Sequence, residues 1–127
     1  MAGARAMTNV TFWRGTLLFA LIAVLLLALL PTGDKMVFSG QDKLVHGITF
    51  AVLFLLSKQS LPTDVSLWLI YPGLMSYGVL MEVLQGLTGY RHMEGMDLLA
   101  DLLGLMVGHL IVLSIRKAQC KLQVPRL

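Results

Sequence analysis

The chain is short of charged residues, and this shortage excludes an ordinary water-soluble domain. Charged side chains make up 13% of its 127 residues and hydrophobic ones 57%, with a mean hydropathy of +0.78. Soluble domains carry about 25% charged residues. So little polar surface is insufficient to coat a globule, and we therefore predict a single integral membrane domain over residues 1–127.

Cysteine is nearly absent, and the basic residues are not grouped. Cys120 is the one cysteine in the sequence, which excludes an internal disulfide and a metal site built from thiolates. The formal net charge is +3, but Lys and Arg flank the apolar segments and do not line one groove. This distribution argues against a nucleic acid as a partner.

Four apolar segments predict an all-α, polytopic fold with four transmembrane helices. About 20 residues are needed to cross a hydrocarbon core of about 30 Å. The predicted spans are residues 12–30, 41–56, 65–87 and 96–115. The second span is short, so we expect it to begin inside the headgroup layer.

Positive charge sets the predicted orientation, because Lys and Arg are retained on the cytoplasmic side. Four spans place both termini and the loop between spans two and three together, and these carry most of the basic residues. They are Arg5, Arg14, Lys58, Arg116, Lys117, Lys121 and Arg126, against Lys35, Lys43 and Arg91 on the opposite side. Both termini are therefore predicted to be cytoplasmic.

The same threading brings polar residues of three spans to the outer face. Asp42 and His46 are spaced to share one helical face, as are Asp97 and Asp101. A charged side chain at a helix centre costs about 2.5–3.5 kcal/mol on insertion scales, so it is rarely kept without a partner or a task. We predict a polar pocket at the outer leaflet, formed by Asp42, Lys43, His46, Glu82, Gln85, Arg91, Asp97 and Asp101.

Two glycines follow these acids at a spacing typical of close helix packing. Gly104 and Gly108 form a small-xxx-small pattern, which lets another helix approach. The packed face is contiguous with the acidic one, so Asp97 and Asp101 are expected to point into the bundle. The partner helix could belong to the same chain or to a second copy in a homodimer.

The ordered set of motifs resembles the VanZ-like family of small bacterial membrane proteins. The matching pieces are Asp42-Lys43-x-x-His46-x-x-x-Phe50, Glu82-x-x-Gln85, Arg91, and Asp97-x-x-x-Asp101-x-x-Gly104-x-x-x-Gly108. The resemblance covers residues 41–108 and departs from the family pattern at Asp101, where Asn is usual. It implies a multi-pass protein of the bacterial cytoplasmic (inner) membrane, and a link to teicoplanin-type glycopeptide resistance in the founding member.

Three functions compete for these residues. The first is a non-catalytic cell-envelope factor that binds a lipid headgroup or an envelope precursor, with membrane lipids as partners. The second is an interfacial enzyme that uses Glu82 and His46, either as acid and base or as ligands of a divalent metal. The third is a cluster that only locks helices together. No Ser or Cys lies in this cluster beside a plausible base, and no recognised catalytic signature is present, so we favour the first and predict no catalytic residue, resident metal or cofactor.

Overall fold

The computed structural model has four helices among the residues that it describes. It describes the backbone of residues 2–31, 40–62 and 64–123, and the side chains of residues 9–31, 40–62 and 64–122. The helices are α1 (Ala2–Ala28), α2 (Gln41–Ser60), α3 (Leu67–Leu87) and α4 (Gly95–Gln123). No strand occurs within these ranges, so the all-α prediction is confirmed. The side chains of Arg5, Lys35 and Arg126, which entered the orientation argument, lie outside the described residues.

Three of the helices are long and apolar enough to cross a membrane. These stretches are Asn9–Ala28, Leu67–Leu87 and Gly95–Leu122. Among the described residues α2 does not meet that standard, and it carries Asp42, Lys43 and Lys58 near its ends. The protein is thus a membrane protein by composition. Three helices are clear candidate spans, and the remaining helix, α2, is more polar than they are.

Three helices are longer than the sequence predicted, and the first of them, α1, begins at Ala2, although its predicted span begins at residue 12. α2 continues to Ser60, four residues beyond its predicted end, and stops before Pro62. α4 continues to Gln123, although its predicted span ends at Ile115. Charged residues end an apolar stretch without ending a helix, because Lys and Arg are good helix formers.

α2 is the central helix, and its largest contact is with α4. A Cβ atom added to Gly104 would overlap the carbonyl oxygen of Gly47 and lie 2.9 Å from its carbonyl carbon. A Cβ on Gly108 would lie 2.8 Å from the carbonyl oxygen of Ala51. The glycine face of α4 therefore packs against α2 of the same chain, and a homodimer would need another surface.

A compact apolar core lies beneath this contact. Phe50, Leu53 and Phe54 of α2 are fully or almost fully buried, as is Leu105 of α4. Phe50 and Phe54 continue the row that begins at His46, since residues four apart on a helix share a face. Above this row toward the start of α2 the buried residues become polar.

α1 is attached to the other helices through its main-chain carbonyl groups. The Tyr77 hydroxyl donates to the carbonyl of Leu21 at 2.6 Å, and the Gln85 amide donates to that of Ala28 at 3.0 Å. The Tyr90 hydroxyl donates to the carbonyl of Leu29. The two carbonyls at the end of α1 lack partners within their own helix, so these bonds also cap it.

The close α2–α4 contact predicts that Gly104→Ala destabilises the protein. The new methyl group meets backbone of α2, which cannot move aside easily, and overpacking of this kind costs about 1–3 kcal/mol. Gly15→Ala in α1 is the matched control, because nothing lies within 4 Å of its added Cβ. Thermal unfolding in detergent should show a lower Tm for Gly104→Ala and an equal or higher Tm for Gly15→Ala.

Candidate functional site

The eight predicted pocket residues lie together at one end of the bundle. This polar end is where α1 and α3 finish and where α2 and α4 begin. His46 is at its centre, and its Nδ1–H donates to Oδ1 of Asp101 at 2.9 Å. Its Nε2 lies 3.8 Å from Oε1 of Glu82 and 3.9 Å from Oδ2 of Asp97. Residues from three helices thus surround one imidazole ring.

The turn after α3 folds the chain back over Glu82. Gly89 has a φ of +79°, the left-handed conformation that glycine adopts readily and that commonly follows a helix end. The returning chain brings the backbone N–H of Glu94 to Oε2 of Glu82 at 3.0 Å. One oxygen of this fully buried carboxylate is therefore bound by the loop, and the other faces His46.

Asp101 occupies space that a missing side chain leaves free. A Cβ on Gly78 of α3 would lie 2.7 Å from Oδ2 of Asp101 and 3.2 Å from the Phe50 ring. Asp101 has no exposed surface, and its Oδ2 has no hydrogen-bond partner among the described residues. Its task at the site is to hold the ring of His46 through the other oxygen.

Lys43 connects the start of α2 with the start of α4. Its ammonium lies 2.9 Å from Oε2 of Glu94 and 3.6 Å from Oδ1 of Asp97. The hydrogen bond and the charge of Lys43 hold the pKa of Glu94 below its ordinary value. Glu94 was absent from the sequence-predicted site, because a single acid in a loop gives no periodic signal.

Arg91 joins the end of α1 to the start of α2. One guanidinium nitrogen donates to the Ala28 carbonyl at 2.9 Å, and another lies 3.3 Å from Oδ1 of Asp42. The sequence predicted Arg91 as a pocket residue, and the structure has it paired with a carboxylate of that pocket. The sequence did not predict that Arg91 and Gln85 converge on the same carbonyl of α1, because a main-chain acceptor leaves no mark in the sequence.

Negative charge exceeds positive charge at the polar end. The carboxylates are those of Asp42, Glu82, Glu94, Asp97 and Asp101, and the fixed cations are Lys43 and Arg91. Both cations are already engaged with carboxylates. Within the described residues, Oε1 of Glu82 and Oδ1 of Asp97 are buried without a hydrogen-bond partner. An arrangement of this kind is suited to hold protons or a cation.

A cavity of about 400 Å³ opens beside the cluster, between α1, α2 and α3. Its wall is mainly apolar and includes Val24, Leu27, Val45, Phe50 and Met81. One end of it is polar and is lined by Asp42, His46, Gln85 and Arg91. Half of the predicted pocket residues thus face this space, whereas Glu82, Asp97 and Asp101 lie behind His46.

Comparisons with known proteins found no match: no family model, no curated protein and no solved structure corresponds to this chain.

The His46–Asp101 hydrogen bond predicts different effects for two substitutions at Asp101. Asp101→Ala leaves the buried Nδ1–H of His46 without an acceptor, which costs about 1–3 kcal/mol. Asp101→Asn keeps an oxygen acceptor and should lower the Tm in detergent by less. Asp64→Ala, at an exposed turn, is the control and should leave the Tm unchanged. Equal losses for Asn and Ala would show that this hydrogen bond does not stabilise the cluster.

The Lys43–Glu94 pair predicts a change in the titration of Glu94. Lys43→Met removes the partner that favours the charged carboxylate, so the pKa of Glu94 should rise toward its ordinary value. Carbon-13 NMR of labelled glutamate side chains measures this, with Glu94→Gln to assign the signal. Lys58→Met, near the opposite end of α2, should leave the Glu94 titration unchanged.

Proposed function

We propose that this chain is a membrane protein that binds a lipid headgroup or a lipid-linked envelope precursor at the outer leaflet, without catalysing a reaction. The observation that carries the proposal is the cavity beside α1 and α2, which is apolar along its wall and polar at one end. An amphipathic ligand has the same division. Ligand sites are commonly clefts of about 300–1,000 Å³ with a few convergent polar groups.

The lining assigns parts of a lipid to parts of the cavity. An acyl chain would lie against Val24, Leu27 and Val45, which project from α1 and α2. The headgroup would meet Asp42, His46, Gln85 and Arg91 at the polar end. Because Arg91 is paired with Asp42, this end offers more acceptors than free cations. A headgroup with amine or hydroxyl donors fits it best.

The proposed placement in the membrane follows from charge. In this arrangement α2 also crosses the membrane, which gives four spans in all. Both termini are then cytoplasmic, and the polar end lies at the outer face of a bacterial inner membrane. α2 would tolerate its polar start because Asp42 is paired with Arg91 and Lys43 with Glu94, and this start would lie in the headgroup layer. The motif resemblance to VanZ-like proteins agrees with this placement, and a role in glycopeptide resistance would rest on that resemblance.

A purely structural role is the second candidate, and the His46–Asp101 hydrogen bond between α2 and α4 favours it. Under this role the cluster only holds helices together. Glu82→Gln would then lower the stability of the protein, and any cellular phenotype would weaken only in proportion to the loss of folded protein. A stable Arg91→Ala protein that has lost lipid binding would instead favour the proposed function, because Arg91 lines the polar end of the cavity.

Filling the cavity tests lipid binding directly. Val45→Trp places a large side chain in the apolar wall, so the purified protein should retain several-fold less lipid than the wild type. Val52→Trp is the matched control, because Val52 is also exposed on α2 but does not line the cavity. Lipid released from each protein after gentle detergent extraction is measured by mass spectrometry.

The composition of the retained lipid provides the second readout. The proposal expects enrichment of one headgroup class in the wild type relative to the whole membrane, and loss of that enrichment in Val45→Trp and Arg91→Ala. Retention that matches the bulk lipid composition in all variants would contradict a specific site.

A further inference from the structure

We propose that His46, Glu82 and Asp97 bind one divalent transition-metal ion of the Zn²⁺ or Mn²⁺ class. This goes beyond lipid binding, because the three side chains meet behind the cavity wall and would hold the ion whether or not a lipid is bound. The sequence offered Glu82 and His46 as possible metal ligands of an enzyme, and the structure places Asp97 beside them.

The distances from His46 to Glu82 and from His46 to Asp97 both fit a shared ion. Nε2 of His46 is 3.8 Å from Oε1 of Glu82 and 3.9 Å from Oδ2 of Asp97. These separations are too long for hydrogen bonds. With metal–ligand bonds of about 2.0–2.2 Å, two ligands of one ion lie about 3–4 Å apart. Nε2 of His46 is therefore close enough to share an ion with each carboxylate, and the two acid side chains would turn toward that ion.

The remaining nitrogen of His46 is held in the way that metal-bound imidazoles usually are. Its Nδ1–H donates to Oδ1 of Asp101, a residue with no exposed surface. This bond fixes the tautomer, so that Nε2 presents a lone pair toward Glu82 and Asp97. Metal-ligating histidines almost always donate their other N–H to a carboxylate, a carbonyl or water. Asp101 is thus a positioning residue for the ligand.

Unpartnered buried oxygens are an independent indication of a missing cation. Glu82 is fully buried and Asp97 is 3% exposed. Oε1 of Glu82, which faces His46, has no hydrogen-bond partner among the described residues, whereas Oδ1 of Asp97 lies 3.6 Å from the Lys43 ammonium. Buried polar groups are normally satisfied, so each such atom requires an explanation. A cation between Glu82 and Asp97 would neutralise their negative charge and give the unpartnered oxygen a ligand bond.

Asp42 offers a further ligand from the cavity side. One ligand atom each from Asp42, His46 and Asp97 lies within 4.8 Å of the others. Asp42 is already paired with Arg91 at 3.3 Å, so it can complete the coordination without being required for it. A mixture of one imidazole and several carboxylates suits Zn²⁺ or Mn²⁺, whereas Mg²⁺ prefers oxygen ligands alone.

Metal content of the full-length protein tests the proposal. Protein in detergent is stripped with EDTA, loaded separately with Zn²⁺, Mn²⁺ or Mg²⁺, desalted and analysed by elemental mass spectrometry. A Cys120→Ser background removes the exposed thiol as a competing zinc ligand. We expect one Zn²⁺ or Mn²⁺ per chain, and none retained with Mg²⁺. Zn²⁺ or Mn²⁺ should also raise the Tm of the stripped protein.

Conservative variants locate the ion. Glu82→Gln and Asp97→Asn keep the side-chain shape, and each should abolish stoichiometric binding and the metal-dependent rise in Tm. Asp101→Asn should weaken affinity by about 10–100-fold, the usual effect of losing an outer-shell partner. His109→Gln is the matched control, because His109 lies away from the polar end. Its Nδ1 is hydrogen-bonded to the Tyr71 hydroxyl at 3.0 Å.

Two results would overturn the proposal. One is a wild-type protein that takes up no stoichiometric Zn²⁺ or Mn²⁺ and whose Tm does not respond to either ion. The other is equal metal content in the wild type and in Asp97→Asn. If the variants fail to fold, the Tm response of the wild type to metal and to EDTA decides the matter alone. Val45→Trp, which blocks the cavity and leaves the three ligands intact, separates failure of this proposal from failure of lipid binding.

Discussion

The cost of burying charge governs the polar end of this molecule. Glu82 and Asp101 are fully buried and Asp97 almost so, all of them in helices that are apolar enough to cross a membrane. Such groups are tolerated only when other protein groups satisfy them. His46 is hydrogen-bonded to Asp101 and lies 3.8 Å from Glu82 and 3.9 Å from Asp97, the loop after α3 reaches Glu82, and Lys43 lies 3.6 Å from Asp97. The positions of α2, of the loop and of α4 are consistent with that single requirement.

The sequence predicted the helices and the convergence of the polar residues, because both follow from patterns along the chain. Spacings of four residues placed His46 with Asp42 and Asp97 with Asp101, and the order of the spans brought these pairs to one end. The glycine spacing at Gly104 and Gly108 predicted a close helix contact. Helix ends were less predictable, because Lys58 and Arg116 limit an apolar stretch and do not terminate a helix.

Contacts that depend on the third dimension were not predictable. The carbonyl of Ala28 is a main-chain atom, and nothing in the sequence marks it as the acceptor for Gln85 and Arg91. Gly78 matters because Asp101 fills the space beside it, and that relation appears only once α3 packs near α4. Glu94 acts partly through its backbone N–H, which every residue other than proline has. The cavity likewise depends on how α1 leans against α2.

The attachment of α1 has a consequence for how freely this helix can change over evolution. Tyr77, Gln85, Tyr90 and Arg91 all donate to its carbonyl groups. A carbonyl group is the same whichever amino acid carries it. These hydrogen bonds therefore depend on the position of the α1 backbone and not on its side chains. α1 could therefore exchange one apolar residue for another without losing these bonds, while the donors that hold it would remain under strict selection. Divergence among related sequences should concentrate in the helix that is held and spare the residues that hold it.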